Sequence, residues 1–423
     1  MFPEKITVQK VIFVISFSPA YTEYADKPRP INNWDTPEGS WVGIWGLDWG
    51  DLLMKALATQ YTDYNCEVWR PDLRADKTYS VQFRERFIHR SFPAKRKNYL
   101  KHGRIYSEII SRPMLDYAAE FNKDRLVLFV SSKPHNHLIS GLINVLRPYK
   151  LIHYNFVSTK LLLVNSPGTL NPIKYAHRFS IAWEKKKWLN RVSNLLTPND
   201  NPEALKELKY RYPDINVFLF ETGLDFDFWK PVMSREQART KLDIPQGSFV
   251  IVLSQRLVPE YQVDKFIKVM AQIKSDQKIF CYITGHGLKD YEQYLVRLVD
   301  ECGLQDRIRF IGYVPDEIIR LYLLAADLFA HLPVISAGSG AAVKAMALGV
   351  PILHVDSGST CEFLKENSAG VIVKSIDYRQ WVEVLTRIIE GKMIITPSRE
   401  EVINFFNWAK TAREIDNAIQ NSV

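Results

Sequence analysis

From Phe249 to Gly358 short apolar runs alternate with amphipathic ones, and no other feature of the chain narrows its fold so far. The stretch opens with FVIVLSQRL (Phe249 to Leu257) and continues through a polar segment of helical character. KIFCYITGHG (Lys278 to Gly287) is a second apolar run, closed by a glycine pair. An amphipathic segment (Leu288 to Cys302) leads to RIRFIGYVP (Arg307 to Pro315), and another helical segment to DLFAHLP (Asp327 to Pro333). A glycine-rich turn enters a helix over SAGSGAAVKAMALG (Ser336 to Gly349), and VPILHVD (Val350 to Asp356) with Ser357-Gly358 ends the stretch. Apolar strands alternating with helices predict a parallel sheet covered on both faces. Such sheets bind ligands at the carboxyl ends of their strands. Arg256, the glycines and the helix start all fall at those ends.

A chain of 423 residues is long enough for two or more domains, each with its own core. The formal net charge of +8 favours anionic partners such as a nucleotide diphosphate or an acidic membrane surface. No nucleic-acid motif is present, so nucleic acid is not an expected partner. Cys66, Cys281, Cys302 and Cys361 are scattered and form no CxxC, which argues against a disulfide framework or a zinc site and for a reducing, cytoplasmic compartment. No apolar run approaches a membrane span. Val11 to Phe17, between Lys10 and Ser-Pro-Ala, has the outline of a signal peptide, but a first strand followed by a functional loop explains it better.

That loop, Ser18 to Gly46, is rich in Pro, Asn, Trp and Gly, and long loops inside compact domains are usually functional. Gly39, Gly43 and Gly46 precede a helix expected over Asp48 to Gln60, with Asp48 as N-cap. A glycine turn there brings backbone N–H groups to an anion, aided by the helix dipole; the alternative is a merely flexible loop. Further strands are expected at Cys66–Asp72, Arg125–Ser132 and Tyr149–Phe156, and Ser193–Asp200 with Ile215–Val232 completes this half of the chain. Two segments interleave basic and aromatic residues. One carries Arg84, Arg86, Arg90, Lys95, Arg96 and Lys97 among Phe83, Phe87 and Phe92; the other carries Lys185, Lys186 and Lys187 between Trp183 and Trp188. Asp225-Phe226-Asp227 and His135-Asn136-His137 lack further ligands, so no metal is expected at either. Phe406, Ala409, Ile415 and Ala418 fall at roughly helical spacing near the end of the chain.

Several of these pieces are shared with a known family. Gln255-Arg256-Leu257 is similar to its "GRL", Gly285-His286-Gly287 to its "GxG", and Arg309 to Pro315 to its "RxxFxGxVP". Ala326-Asp327 is similar to its "AD", and Lys344 to Pro351 to its "EAMAxGxPV". In this order and spacing they resemble the donor half of GT-B glycosyltransferases, especially the retaining family 4 enzymes. The resemblance implies an α/β protein of two Rossmann-like domains, their parallel sheets facing across a cleft. The expected acceptor-binding domain is 1–231 plus 404–423, and the donor-binding domain 232–403. It implies an enzyme that moves a sugar, with retention, from a nucleotide-diphosphate sugar to a lipid-linked or glycan acceptor. No metal or other cofactor is implied, and the place of work would be cytoplasmic, peripheral on a membrane.

The implied donor site holds Gly43, Gly46, Arg256, Gly285, Gly287, Tyr313, Val314, Ser336, Ala337, Gly338, Ser339, Gly340 and Lys344. Arg256 would meet the diphosphate with a forked, charge-assisted contact. Tyr313 and Val314 would lie near the base, and Ser336 to Gly340 would offer backbone N–H groups. Arg256 and Lys344 are the expected catalytic residues. Three positions depart from the family. Tyr261 stands where it has a second phosphate lysine, and Ser336 and Lys344 where it has two glutamates. An ammonium cannot accept the ribose hydroxyl protons a carboxylate would. Lys344 therefore either neutralises a phosphate or marks a site that has lost function. The second alternative is a catalytically degenerate GT-B subunit that binds a partner glycosyltransferase or a glycan.

Overall fold

The computed structural model describes residues 9–15, 49–73, 75–101, 104–130, 137–155, 183, 186, 188–189, 192, 194–198, 202–221, 223–334, 340–395 and 397–421, without the side chains of 99–107 and 359. The chain divides into two α/β units, one of residues 1–220 with 408–423 and one of residues 221–407.

The first unit is built on β1 (Gln9–Val14), β2 (Tyr64–Asp72), β3 (Tyr79–Arg84), β4 (Phe87–Pro93), β7 (Leu126–Val130), β8 (Lys150–Tyr154), β9 (Asn194–Pro198) and β10 (Asn216–Phe220). Between β4 and β7 the strands β5 (Lys95–Lys101) and β6 (Arg104–Ile110) pair, among the described residues, only with each other. The sheet order is β10-β9-β8-β7-β1-β2-β4-β3, parallel except where β3 meets β4. Successive side chains of a strand point to opposite faces. Val11 and Phe13 enter one core with the helices Trp49–Gln60 and Trp408–Gln420, while Ile12 and Val14 enter another with the helices Arg112–Glu120 and His137–Leu146. This two-sided burial is why β1 and β7 read as continuous apolar runs. The last helix is tied to the sheet by Asn194 Nδ2 donating to the Ala418 carbonyl at 2.8 Å and by the Tyr64 hydroxyl on Asp416.

The second unit carries β11 (Phe249–Ser254), β12 (Ile279–Thr284), β13 (Ile308–Gly312), β14 (Leu328–His331), β15 (Ile352–Val355) and β16 (Gly370–Val373). They form one parallel sheet in the order β13-β12-β11-β14-β15-β16. The sheet again has a core on each face. Asp327, in the Ala-Asp pair before β14, is a structural residue. Its Oδ2 accepts from Arg239 at 2.6 Å and from the Val250 N–H at 2.7 Å, which locks the start of β14 to β11.

The segment 221–231, expected above in the first domain, packs with the second unit instead. Trp229 is buried in that unit's core, and Leu224, Phe226 and Phe228 pack against it. Arg320 Nη1 donates to the Phe228 carbonyl at 2.7 Å, and Arg399 Nη2 to the Phe226 carbonyl at 2.8 Å. Residues 404–407 stay with the second unit for the same reason, since Phe406 is buried beside Phe363. Asp225 is a local cap, its Oδ1 accepting from the N–H groups of Asp227 and Phe228 at 3.2 Å each.

Candidate functional site at the carboxyl ends of the second sheet

β11 lies between β12 and β14. The chain leaves it on one side to build β12 and β13, and on the other to build β14, β15 and β16. The carboxyl ends of β11 and β14 therefore flank the topological switch point, where open parallel sheets open a crevice for ligands.

On the β12 side, two loops are drawn into backbone contact. Leu257 N–H donates to the His286 carbonyl at 2.9 Å, and Leu288 N–H donates back to the Leu257 carbonyl at 3.0 Å. The glycines permit this approach. A Cβ on Gly287 would fall 1.6 Å from the Leu257 oxygen, and one on Gly285, whose φ is +121°, would fall 2.0 Å from the Gln255 oxygen. The Tyr313 N–H donates to His286 Nε2 at 3.2 Å, which leaves the ring proton on Nδ1, facing Glu292 Oε1 at 3.3 Å. The same oxygen accepts from the Gly287 N–H at 2.6 Å. The loops after β12 and β13 thus form one hydrogen-bonded ledge, with Tyr313 stacked on His286.

On the β14 side, a short 3-10 turn (Pro259–Tyr261) folds back over the strand ends. Val334 N–H donates to the Glu260 carbonyl at 2.8 Å, and Gln262 Nε2 to the Leu332 carbonyl at 3.0 Å. Tyr261 sits edge-on to His331. Burial raises its phenol above the usual range against the opposing pull of Arg256, so the hydroxyl stays protonated. His331 and His354 are directly paired across β14 and β15, with Nδ1 of the first 3.1 Å from Nε2 of the second. Burial holds His331 well below the ordinary histidine range and His354 at about 4, so both rings are neutral at physiological pH.

Arg256 follows β11 by two positions and is exposed. Gly285, Gly287, Tyr313 and Val314 lie in the loops just described, and Gly340 starts the helix Gly340–Ala347. Gly43, Gly46, Ser336, Ala337, Gly338 and Ser339 lie outside the described residues. Lys344 is not simply solvated. Its ammonium lies 2.9 Å from Asp316 Oδ1 and 4.4 Å from the centre of the Trp229 ring. The pair clips the helix Gly340–Ala347 to the start of the helix Asp316–Ala325.

Sequence reasoning passed over Gln255. The residue is 9% exposed, its Nε2 donates to the Tyr261 carbonyl at 3.3 Å, and its Oε1 is closed off from solvent without a donor among the described residues. An unmet buried acceptor costs about 1–3 kcal/mol. The available signal was the glutamine itself, standing where the resembled motif has glycine. His286 and Glu292 gave no such signal, since they act through loop geometry.

The sequence model of the family described as glycosyl transferases group 1 matches residues 234–405. Among curated proteins, the chain is 25% identical over 244 residues to a D-inositol 3-phosphate glycosyltransferase of Nocardioides sp., covering 53% of this chain and 52% of the relative. It is 29% identical over 177 residues to a GDP-mannose-dependent alpha-(1-6)-phosphatidylinositol monomannoside mannosyltransferase of Mycobacterium tuberculosis, covering 39% of this chain and 45% of that one. The chain spans about half the length of the first curated relatives it matches. Among solved structures, a sucrose-phosphate synthase from Thermosynechococcus elongatus matches with a TM-score of 0.68 at 15% identity, over 97% of this chain and 98% of that one. Anabaena HepE in complex with UDP-glucose matches with a TM-score of 0.65 at 16% identity, over 98% and 100%. The fold is that of GT-B glycosyltransferases: two α/β units, each on a mainly parallel sheet.

Proposed function

We propose that this chain is a glycosyltransferase that takes a nucleoside-diphosphate sugar at the carboxyl ends of β11 to β14. The observation that carries the reading is the strand order that puts a topological switch point beside β11, with Arg256 at that strand's end and the Gly285 and Gly287 loops held close. A leaving diphosphate develops negative charge, and a cation with nearby N–H dipoles stabilises it without a metal. Arg256 is the proposed phosphate contact. Tyr313 and Val314 are proposed beside the base, and Gly340 beside the phosphates or sugar. The acceptor is proposed to be a lipid-linked sugar or glycan, transfer to proceed with retention, and the site of work to be the cytoplasmic face of a membrane. These finer points follow the resemblance to the retaining family 4 enzymes, and the relative that acts on a phosphatidylinositol mannoside supports a lipid-linked acceptor.

The test is a thermal-shift and titration screen against UDP-, GDP- and ADP-sugars. A ligand at large excess over its Kd is expected to stabilise by about 2–4 kcal/mol. Arg256→Ala should weaken the binding of the matching nucleoside diphosphate by about 2 kcal/mol, the range of a single charged hydrogen bond, with the fold intact by circular dichroism. Equal affinities for wild type and variant would remove Arg256 from the site.

A further inference from the structure

A left-handed backbone is unfavourable for any residue that carries a Cβ. Among the described residues four that are not glycine adopt it: Arg125, Arg147, Asp243 and Gln262. The first three are exposed, whereas Gln262, at φ +53°, is only 5% exposed. It stands between the 3-10 turn Pro259–Tyr261 and the helix Val263–Gln272. A glycine would take up this conformation without strain. The chain keeps a glutamine instead, and such strain persists only where the surroundings fix the residue.

The side chain of Gln262 is held at both ends. Its Nε2 donates to the Leu332 carbonyl at 3.0 Å, and its Oε1 accepts at 3.3 Å from the hydroxyl of Tyr378, which starts the helix Tyr378–Ile389. Its backbone N–H is turned to the Pro259 carbonyl, so the side-chain amide supplies a rung beside the one from the Val334 N–H to the Glu260 carbonyl. The two rungs join the connection that leaves β11 to the one that leaves β14. These connections flank the switch point, the first carrying Arg256 and the second leading to Gly340. The path from Gln262 to Arg256 is short. Tyr261, the residue before Gln262, accepts at its carbonyl from Gln255 Nε2 at 3.3 Å, and Gln255 precedes Arg256. On the other side of Arg256, the Leu257 N–H is held by the His286 carbonyl at 2.9 Å. The backbone of Arg256 is thus set between two anchors, one of which depends on Gln262. We infer that Gln262 is a positioning residue: through Tyr261 and Gln255 it sets where Arg256 stands at the switch point. The inference rests on the donor site proposed above and deepens it.

The experiment is a double-mutant cycle read by titration with UDP, GDP and ADP, the probe being whichever of them wild type binds. Gln262→Gly takes up the left-handed backbone freely and is expected to fold, which urea unfolding checks. It should weaken the probe about tenfold, a large part of the roughly thirtyfold loss expected of Arg256→Ala, because a displaced cation forfeits most of one charged hydrogen bond. In the Arg256→Ala background the same change should move the affinity by less than about twofold, since residues that act through one another are not additive. Gln262→Asn is the second variant. Asparagine also tolerates the left-handed backbone, but its amide is one methylene too short to span Leu332 and Tyr378, so it should repeat the pattern. A merely structural role would lower the affinity by the same factor in both backgrounds, and equal factors would overturn the inference. If Arg256→Ala weakens the probe while Gln262→Gly and Gln262→Asn bind it as wild type does, the donor site stands and the inference alone fails. If wild type binds none of the three nucleotides, or Arg256→Ala binds as tightly as wild type, the donor site itself falls and takes this inference with it.

Discussion

Lys344 owes its position to two neighbours that are remote in sequence. Its ammonium is held between the Asp316 carboxylate and the face of Trp229, with about a quarter of the side chain exposed. An ion pair partly shielded from water is worth more than a surface pair and less than a fully buried one. Lys344→Met is therefore expected to cost about 1–2 kcal/mol, and Lys344→Glu more, since it sets two carboxylates together. Restoring opposite charges in Lys344→Glu with Asp316→Lys should recover part of that stability. Urea unfolding of the single and double variants measures the coupling, and additive effects would show that the two residues do not interact in solution. Arg256 was legible from the sequence because its position depends only on where a strand stops. The partners of Lys344 were not, because they depend on how two helices and the 221–231 segment pack. The orphan oxygen of Gln255 was hidden for the same reason.

At the scale of elements, strands buried on both faces were easy to read. Leu126–Val130 and Phe249–Ser254 are unbroken apolar runs, and both formed. The region 79–110 was harder: its strands β3 to β6 lie toward the sheet edge or pair apart from it, so mixed charge and aromatics masked the period-two pattern. Pairing also joins residues that look unrelated in sequence, such as His331 and His354 on β14 and β15. Here the pH dependence follows from the sign of the shifts. An unfolded histidine takes up its proton near 6.5, whereas buried His354 does so only at about 4. Between those values the unfolded chain binds more protons, so stability falls as pH falls. From pH 7 to pH 5 the decrease from His354 alone is about 2 kcal/mol, and His331 adds in the same direction. His354→Asn keeps a donor for the Val355 carbonyl and removes the titration. The stability gap between wild type and this variant, read by urea unfolding, should narrow by about 2 kcal/mol between pH 7 and pH 5. A gap that is constant with pH would mean that the His354 ring titrates as if exposed.

For the whole molecule, a net charge of +8 raises the question of which anionic surface it meets. The first basic-aromatic segment does not lie on a surface as a unit. Phe87 and Phe92 are fully buried, and Arg90 is paired with Glu67 at 2.7 Å and packed on Tyr117. Those aromatics cannot sit among lipid headgroups. Lys95 and Lys97, however, are exposed on β5, which forms a two-stranded sheet with β6. Of the second segment, Trp188 is buried, whereas Trp183 is 61% exposed and Lys186 is exposed. Among the described residues no helix is long and apolar enough to cross a membrane, so any attachment through them would rest on such surface groups. A lysine near an anionic bilayer contributes about 1 kcal/mol, and exposed tryptophan settles at headgroup level. Binding to phosphatidylserine vesicles, measured by sedimentation, should therefore exceed binding to phosphatidylcholine vesicles and disappear at high salt, where screening shortens to a few ångströms. Lys95→Ser with Lys97→Ser should weaken it about thirtyfold, the product of two such contributions. Trp183→Ala should weaken it further without changing its salt dependence, since an indole carries no charge. Binding that ignores lipid charge, or survives the removal of Lys95 and Lys97 unchanged, would take this two-stranded sheet out of any membrane contact. The proposed acceptor would then be better sought among soluble glycans.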